Sequence, residues 1–341
     1  MKRIVLLLLV ATLLAPMVLL ATGQPETQDG PGELVVYSSV DEANAKKILD
    51  AFTADTGIEV AFVHLSTGPA LARIEAEMNN PQADVWMGAP NENHILARDR
   101  GLTIQHTSDA TKEIPAQFRD PKGYWTSFYM NPMGVAVNTE ALKKEGLAAP
   151  KSWEDLTKRE YKGLIQMPSP QSSGTAYNVV TSLVQARGED AAFEYMKRLN
   201  PNIQTYTSSG TAPSQAVAVG EAPIGIQFTP AFFQYADEGY PLQVIFPSEG
   251  VGYEAPAVSI LKGARNEAAA RQLVDWLVSK KGQDVLTAAK TYFYPVNPKA
   301  ELGAGMPSFE SLKTIPVDPT WAGQNKERLV ERWVEEVLPA R

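Results

Sequence analysis

The chain has 341 residues, 44% of them hydrophobic and 21% charged, with a formal net charge of −8 and no cysteine. The lack of cysteine excludes disulfides, thiolate metal sites and a thioether-linked lipid. The acidic charge is spread along the chain rather than blocked, so a nucleic-acid partner finds no basic patch to hold.

Met1-Lys2-Arg3 followed by the apolar run "IVLLLLVATLLAPMVLL" has the layout of a secretory signal peptide over residues 1–22, with a Gly/Pro-rich flexible spacer over 23–32. This predicts a periplasmic or otherwise extracytoplasmic protein, membrane-tethered if the signal is not cleaved. The rest is longer than one hydrophobic core usually covers, so two lobes are expected. "ELVVYSS" (33–39) reads as a buried strand, "DEANAKKILDAFTADTG" as a helix stopped by Gly57, and "IEVAFVHLS" as a second strand. "GPALARIEAEMNN" is a helix, "ADVWMGAP" a strand and "NENHILARDRG" a short helix ended by Gly101. The rhythm then breaks. "GYWTSFYMNPMGVAVN" (123–138) is one long extended run, the expected crossing to a second lobe.

A second α/β series follows in "LIQMPSP", "GTAYNVVTSLVQARG", "EDAAFEYMKRLN", "GTAPSQAVAVGE", "APIGIQF" and "LQVIFPSEG". "APAVSILKG" (255–263) crosses back, and the remainder, from "NEAAARQLVDWLVSKKGQDVLTAA" to "NKERLVERWVEEVL", is mainly helical. The predicted division is 33–130 for the first part of lobe 1, 131–254 for lobe 2, and 255–341 for the return to lobe 1 with the C-terminal helices. Two lobes joined by two extended crossings leave a cleft, and small ligands bind in clefts between domains.

Three Ser/Thr/Gly clusters follow a strand and open a helix: Ser66-Thr67-Gly68, Ser172-Ser173-Gly174-Thr175 and Ser208-Ser209-Gly210-Thr211. Helix starts carry unpaired N–H groups and partial positive charge, glycine admits a ligand to the backbone, and hydroxyls add neutral donors. Any one cluster is explained by helix capping alone. Three of them, two nearly identical, at the carboxyl ends of strands point to an anion site.

These segments, together with "VVYSSVDEANAKKILDAFTADTGIEV" and "FPSEGVGYEAPAVSILKGARNEAAARQLVDWLVSKKGQDVL", resemble the type II solute-binding proteins of bacterial ABC importers. Within that group the likeness is to the ferric-ion, phosphonate and hexose-phosphate branch. The resemblance implies a two-lobed Venus-flytrap α/β fold and a monomer that captures a small anionic solute without a cofactor and docks on a membrane permease. The expected ligand-binding residues are Ser39, Ser66, Thr67, Ser173, Gly174, Thr175, Ser209, Gly210, Thr211, Gln227, Thr229 and Glu249, with Glu254 a further carboxylate acceptor.

The alternative within the family is ferric-ion binding with a synergistic anion. Ferric members use an adjacent tyrosine pair, whereas "QFTPAFFQYADEG" offers Phe232-Phe233 and an isolated Tyr235. Phenylalanine has no oxygen for a hard cation. Asp41 reads as a helix cap before it reads as a metal ligand. No metal site and no catalytic residue is therefore expected. A secreted hydrolase is the distant alternative: there is no Gly-x-Ser-x-Gly or His-Glu-x-x-His motif, and His64, His94 and His106 lack triad or metal spacing.

Overall fold

In the computed structural model, which describes residues 33–340, two mixed sheets are each flanked by helices. The predicted signal peptide and spacer lie outside the described residues. The first lobe begins with β1 (Leu34–Ser38), α1 (Glu42–Thr56), β2 (Val60–His64), α2 (Thr67–Ala76), β3 (Val85–Pro90) and α3 (Asn91–Asp99). Helix α1 buries Ala45, Ile48, Leu49 and Phe52, a stripe at helical spacing. Asp41 caps its start by accepting from Asn44 N, and Gly57 ends it in the left-handed conformation at φ 73°. After β4 (Thr103–Ile104), α4 (Asp109–Glu113) and β5 (Thr126–Ser127) the chain enters β6 (Tyr129–Asn138), fully buried along its length.

The second lobe continues with α5 (Thr139–Lys144), β7 (Ile165–Pro168), α6 (Gly174–Arg187), α7 (Glu189–Leu199), β8 (Ile203–Thr207), α8 (Ala212–Ala218), β9 (Ile224–Phe228), α9 (Pro230–Asp237), β10 (Leu242–Ile245) and β11 (Tyr253–Glu254). The return comprises β12 (Pro256–Leu261), α10 (Glu267–Val278), α11 (Lys280–Ala288), β13 (Tyr294–Pro295) and α12 (Pro319–Glu336).

The first sheet runs β2-β1-β3-β12-β4, with β5 also on β12; β1, β2 and β3 are parallel and β12 is antiparallel to them. The second runs β10-β6-β9-β7-β8, with β11 and β13 also on β6. Both crossings expected from the sequence are present. Tyr129 and Met130 of β6 belong to the first lobe's apolar cluster, while Met133, Val135 and Val137 belong to the second's. On the way back Val251 lies in the second cluster and Ala255 in the first.

The segment read as mainly helical from residue 266 onward forms two helices that meet at Ser279, which ends α10 and caps α11 through Gly282 N. A Cβ on Gly282 would lie 1.9 Å from the Trp276 carbonyl oxygen, so glycine permits the tight turn. The last of the C-terminal helices, α12, packs on the second lobe. Ala322, Leu329, Trp333 and Val337 pack into the second lobe's cluster, and Arg328 and Arg332 both pair with Glu189 of α7. The reason is the amphipathic stripe of α12, whose start is set by Pro319 and by Asp318 accepting from Thr320 N and Trp321 N. Helix α12 also touches α3, so it bridges the lobes.

Candidate functional site

Because β7 and β8 are parallel neighbours, the loops that leave their carboxyl ends run side by side. Ser169 N donates to Thr207 O at 2.8 Å, and Ser172 Oγ donates to Ser208 O at 3.1 Å, joining the two repeated tetrads across 36 residues of chain. Contact is closest at Gly210, where an added Cβ would lie 2.5 Å from Thr175 Oγ1 and 3.0 Å from Ser173 Oγ. Ser173 is buried and caps α6 by accepting from Ala176 N at 3.5 Å. Gly174 is exposed and open, with nothing within 4 Å of a Cβ placed on it. Ser209 and Thr211 are exposed, and their hydroxyl oxygens lie 3.3 Å apart. The result is a patch of hydroxyls around the start of a fourteen-residue helix, a neutral donor set for an anion.

The first lobe presents its own strand ends by the same logic. Ser39 follows β1, its N donates to Met87 O at 2.8 Å and its Oγ accepts from Trp86 Nε1 at 3.1 Å. Ser66 is exposed and precedes α2 without making a side-chain cap, and Thr67 is half-buried. Near the end of β3 the backbone passes through Gly88 and Ala89, both left-handed at φ 84° and 60°. His94 braces that turn, with Nε2 2.6 Å from Gly88 O and Nδ1 2.8 Å from Ser259 Oγ, and its ring is stacked on Trp86. Burial pushes its pKa down to about 4, so it stands there as a neutral imidazole.

Between the lobes lies a cavity whose wall includes Pro90 and Glu92 from the first lobe, Gly174, Tyr177 and Asn178 from α6, and Glu254 from the returning crossing. Of the twelve residues expected to bind ligand, Gly174 alone is in this wall. Ser39, Ser66 and Thr67 sit at the same end of their sheet but outside it. Burial raises the Glu92 carboxyl to about 7 and the Glu254 carboxyl to about 8, the nearby Glu92 adding to the latter. Asn131 Nδ2 donates to Glu254 Oε1 at 2.8 Å. Both acids can therefore present protonated oxygens near neutral pH.

Three expected ligand residues are spent elsewhere. Gln227 is buried, accepting from Ser214 N at 2.9 Å and donating to Phe228 O. Thr229 is fully buried and donates to Pro132 O at 3.2 Å. Glu249 accepts from Trp153 N and Glu154 N at 3.1 Å each; burial alone would raise its pKa, but these amides hold it below the ordinary carboxylate range. Each side chain already bonds within its own lobe, as buried polar groups do. Sequence reading missed Glu92, Asn131, Tyr177 and Asn178; the one signal available was that Glu92 opens the helix directly after β3. Phe232 is fully buried in the second lobe, and Phe233 packs towards Tyr292 and Phe246.

Residues 80–319 match the family described as bacterial extracellular solute-binding protein. The periplasmic binding protein AfuA from Actinobacillus pleuropneumoniae, solved with exogenous fructose-6-phosphate bound, is 38% identical and superposes with a TM-score of 0.82, covering 89% of this chain and 98% of that one. A putative 2-aminoethylphosphonate-binding periplasmic protein from Salmonella paratyphi A (strain ATCC 9150 / SARB42) is 25% identical over 69% of this chain and 68% of its own. Iron uptake protein A1 from Synechocystis sp. (strain ATCC 27184 / PCC 6803 / Kazusa) is 28% identical over 84% of this chain and 82% of its own.

Proposed function

The chain belongs to the bacterial extracellular solute-binding proteins, and from that premise we propose that it captures a small phosphorylated or phosphonate anion between its lobes and delivers it to the membrane permease of an ABC importer. The observation that carries this reading is the meeting of Ser173-Gly174-Thr175 with Ser209-Gly210-Thr211 at the start of α6. Hydroxyl and amide donors at a helix start suit a tetrahedral oxyanion, and they do so without a cationic partner. The remainder of the solute extends along the cavity towards Glu92, Glu254 and Asn178, which favours hydroxyl or amino groups over an apolar body. The likeness to a fructose-6-phosphate-bound protein and to a 2-aminoethylphosphonate-binding one supports this class. Capture is reversible binding, with no bond made or broken.

The ferric alternative is weaker because Phe232 and Phe233 are apolar and already packed, leaving the adjacent phenolates of an iron site without a counterpart. A thermal-shift panel of fructose 6-phosphate, 2-aminoethylphosphonate, inorganic phosphate and ferric citrate, each with and without chelator, tests the reading. The expected result is stabilisation by a phosphate or phosphonate that chelator does not change. A visible absorption band with iron, and no response to any phosphorus compound, would overturn it.

A further inference from the structure

The geometry points to a latch: α9 of the second lobe and the Lys290–Tyr292 turn of the first together fix the angle between the lobes, independently of any solute. Helix α9 is anchored on its own side by Phe232, which is fully buried against Ala136, Ala216 and Val217. The next residue, Phe233, turns the other way and packs against the first lobe's cluster, its ring 6.2 Å from that of Tyr292 with 21° between the planes. One turn further on, Asp237 accepts from Lys290 Nζ at 2.7 Å. An apolar contact and an ion pair thus cross from one lobe to the other within a few residues.

The first-lobe partner is a rigid piece of backbone. Lys290 and Tyr292 are left-handed at φ 53° and 58°, two of the three non-glycine residues with positive φ among the described residues. Side chains rarely hold that conformation unless the surroundings over-determine it. Here Thr291 N and Oγ1 both donate to Leu286 O, at 3.0 and 2.9 Å, Lys290 N donates to Thr287 O, and Phe293 N donates to Thr291 Oγ1. Two residues on, β13 pairs with the first residues of β6, the crossing strand itself. A turn fixed this firmly to the first lobe cannot follow α9 when the second lobe swings, so rotation about the crossings must separate the contacts. A contact made in one lobe arrangement and lost in another biases the equilibrium between them.

The absence of cysteine from the sequence makes the test direct. Met78 and Val219 are exposed, at 51% and 62%, on the first and second lobes respectively, and the pair Met78→Cys and Val219→Cys accepts one spin label per lobe. Pulsed electron resonance then gives the interlobe distance distribution of ligand-free protein. Asp237→Lys sets like charges against Lys290 and should raise the fraction outside the parent's main peak at least three-fold; the swap Asp237→Lys with Lys290→Asp should restore it. Lys290→Met, at an exposed position, serves as the second variant if Asp237→Lys does not fold. Distributions that superimpose on the parent, or a swap that fails to restore the parent's, would overturn the latch.

Discussion

Replacing Gly174 by alanine separates a solute-binding role of α6 from a purely structural one. The methyl group would meet nothing within 4 Å, and Gly174 is not in the left-handed region, so the ligand-free protein has no clash or strain to absorb. Alanine inside a helix is better than glycine by up to about 1 kcal/mol, so the empty protein should be as stable or slightly more so. The same methyl occupies the space where a solute oxyanion would approach the first amides of the helix. Losing one hydrogen bond to a charged group costs about 1.5–3 kcal/mol, which is roughly a 10- to 150-fold rise in Kd. A ligand at about 100 times the parent Kd adds about 2.7 kcal/mol to unfolding. At the same concentration a 10-fold weaker variant gains only about 1.4 kcal/mol and a 100-fold weaker one about 0.4 kcal/mol. Calorimetric melting with and without the stabilising phosphorus compound reads this difference. A Gly174→Ala protein that keeps the full ligand-induced shift would refute the reasoning, because the anion would then lie away from the start of α6.

Thr175→Ala should weaken binding about 10-fold or more while leaving ligand-free stability near that of the parent, whereas Ser173→Ala should also lose about 1 kcal/mol of stability because it removes the cap of α6; titration calorimetry and denaturant melts separate the two. Glu92 and Glu254 are carboxyls raised to about 7 and about 8, so the fold contributes nothing through them below their ordinary range near 4.5 and loses stability as pH rises from there through about 8. Glu254→Gln should flatten that decline in a pH series of melts, and a decline unchanged by the substitution would sink the assignment. Trp333→Ala removes a nearly fully buried ring from the second lobe and should cost about 3–5 kcal/mol, with proteolysis striking that lobe first.

The sheet architecture was legible because each strand and helix declared itself locally: "ELVVYSS" as β1, the stripe and Gly57 of α1, and the uninterrupted extended run of β6. The repeated Ser-Ser-Gly-Thr tetrad was also legible as a pair, since parallel neighbours bring equivalent loops together. Less legible was the fate of a polar side chain at a strand end. Gln227 and Thr229 terminate β9 just as a solute-reading residue would, and only the positions of Ser214 and Pro132 show that their bonds turn inward. Glu92 and Glu254 are far apart in sequence and share a cavity only because the returning crossing lies against α3's end of the first lobe, a tertiary fact with no local signal. The break at Ser279 depended on Gly282 closing over Trp276, which helical periodicity does not encode.

The place of β12 in the first sheet sets the order in which this chain can complete itself. It is the antiparallel strand between β3 and β4, yet it is made after every strand of the second sheet except β13. A nascent or newly exported chain can pair β1, β2 and β3 early, but the edge of β3 stays open until residue 261 has emerged. The second lobe's strands β6 to β10, by contrast, are nearly continuous in sequence and can close first, apart from the late arrival of α12. The first lobe must therefore pay the entropy of closing a loop that contains the whole second lobe, which slows its completion. A product truncated before Pro256 would leave the β3 edge unpaired, the kind of surface on which strands of neighbouring chains add.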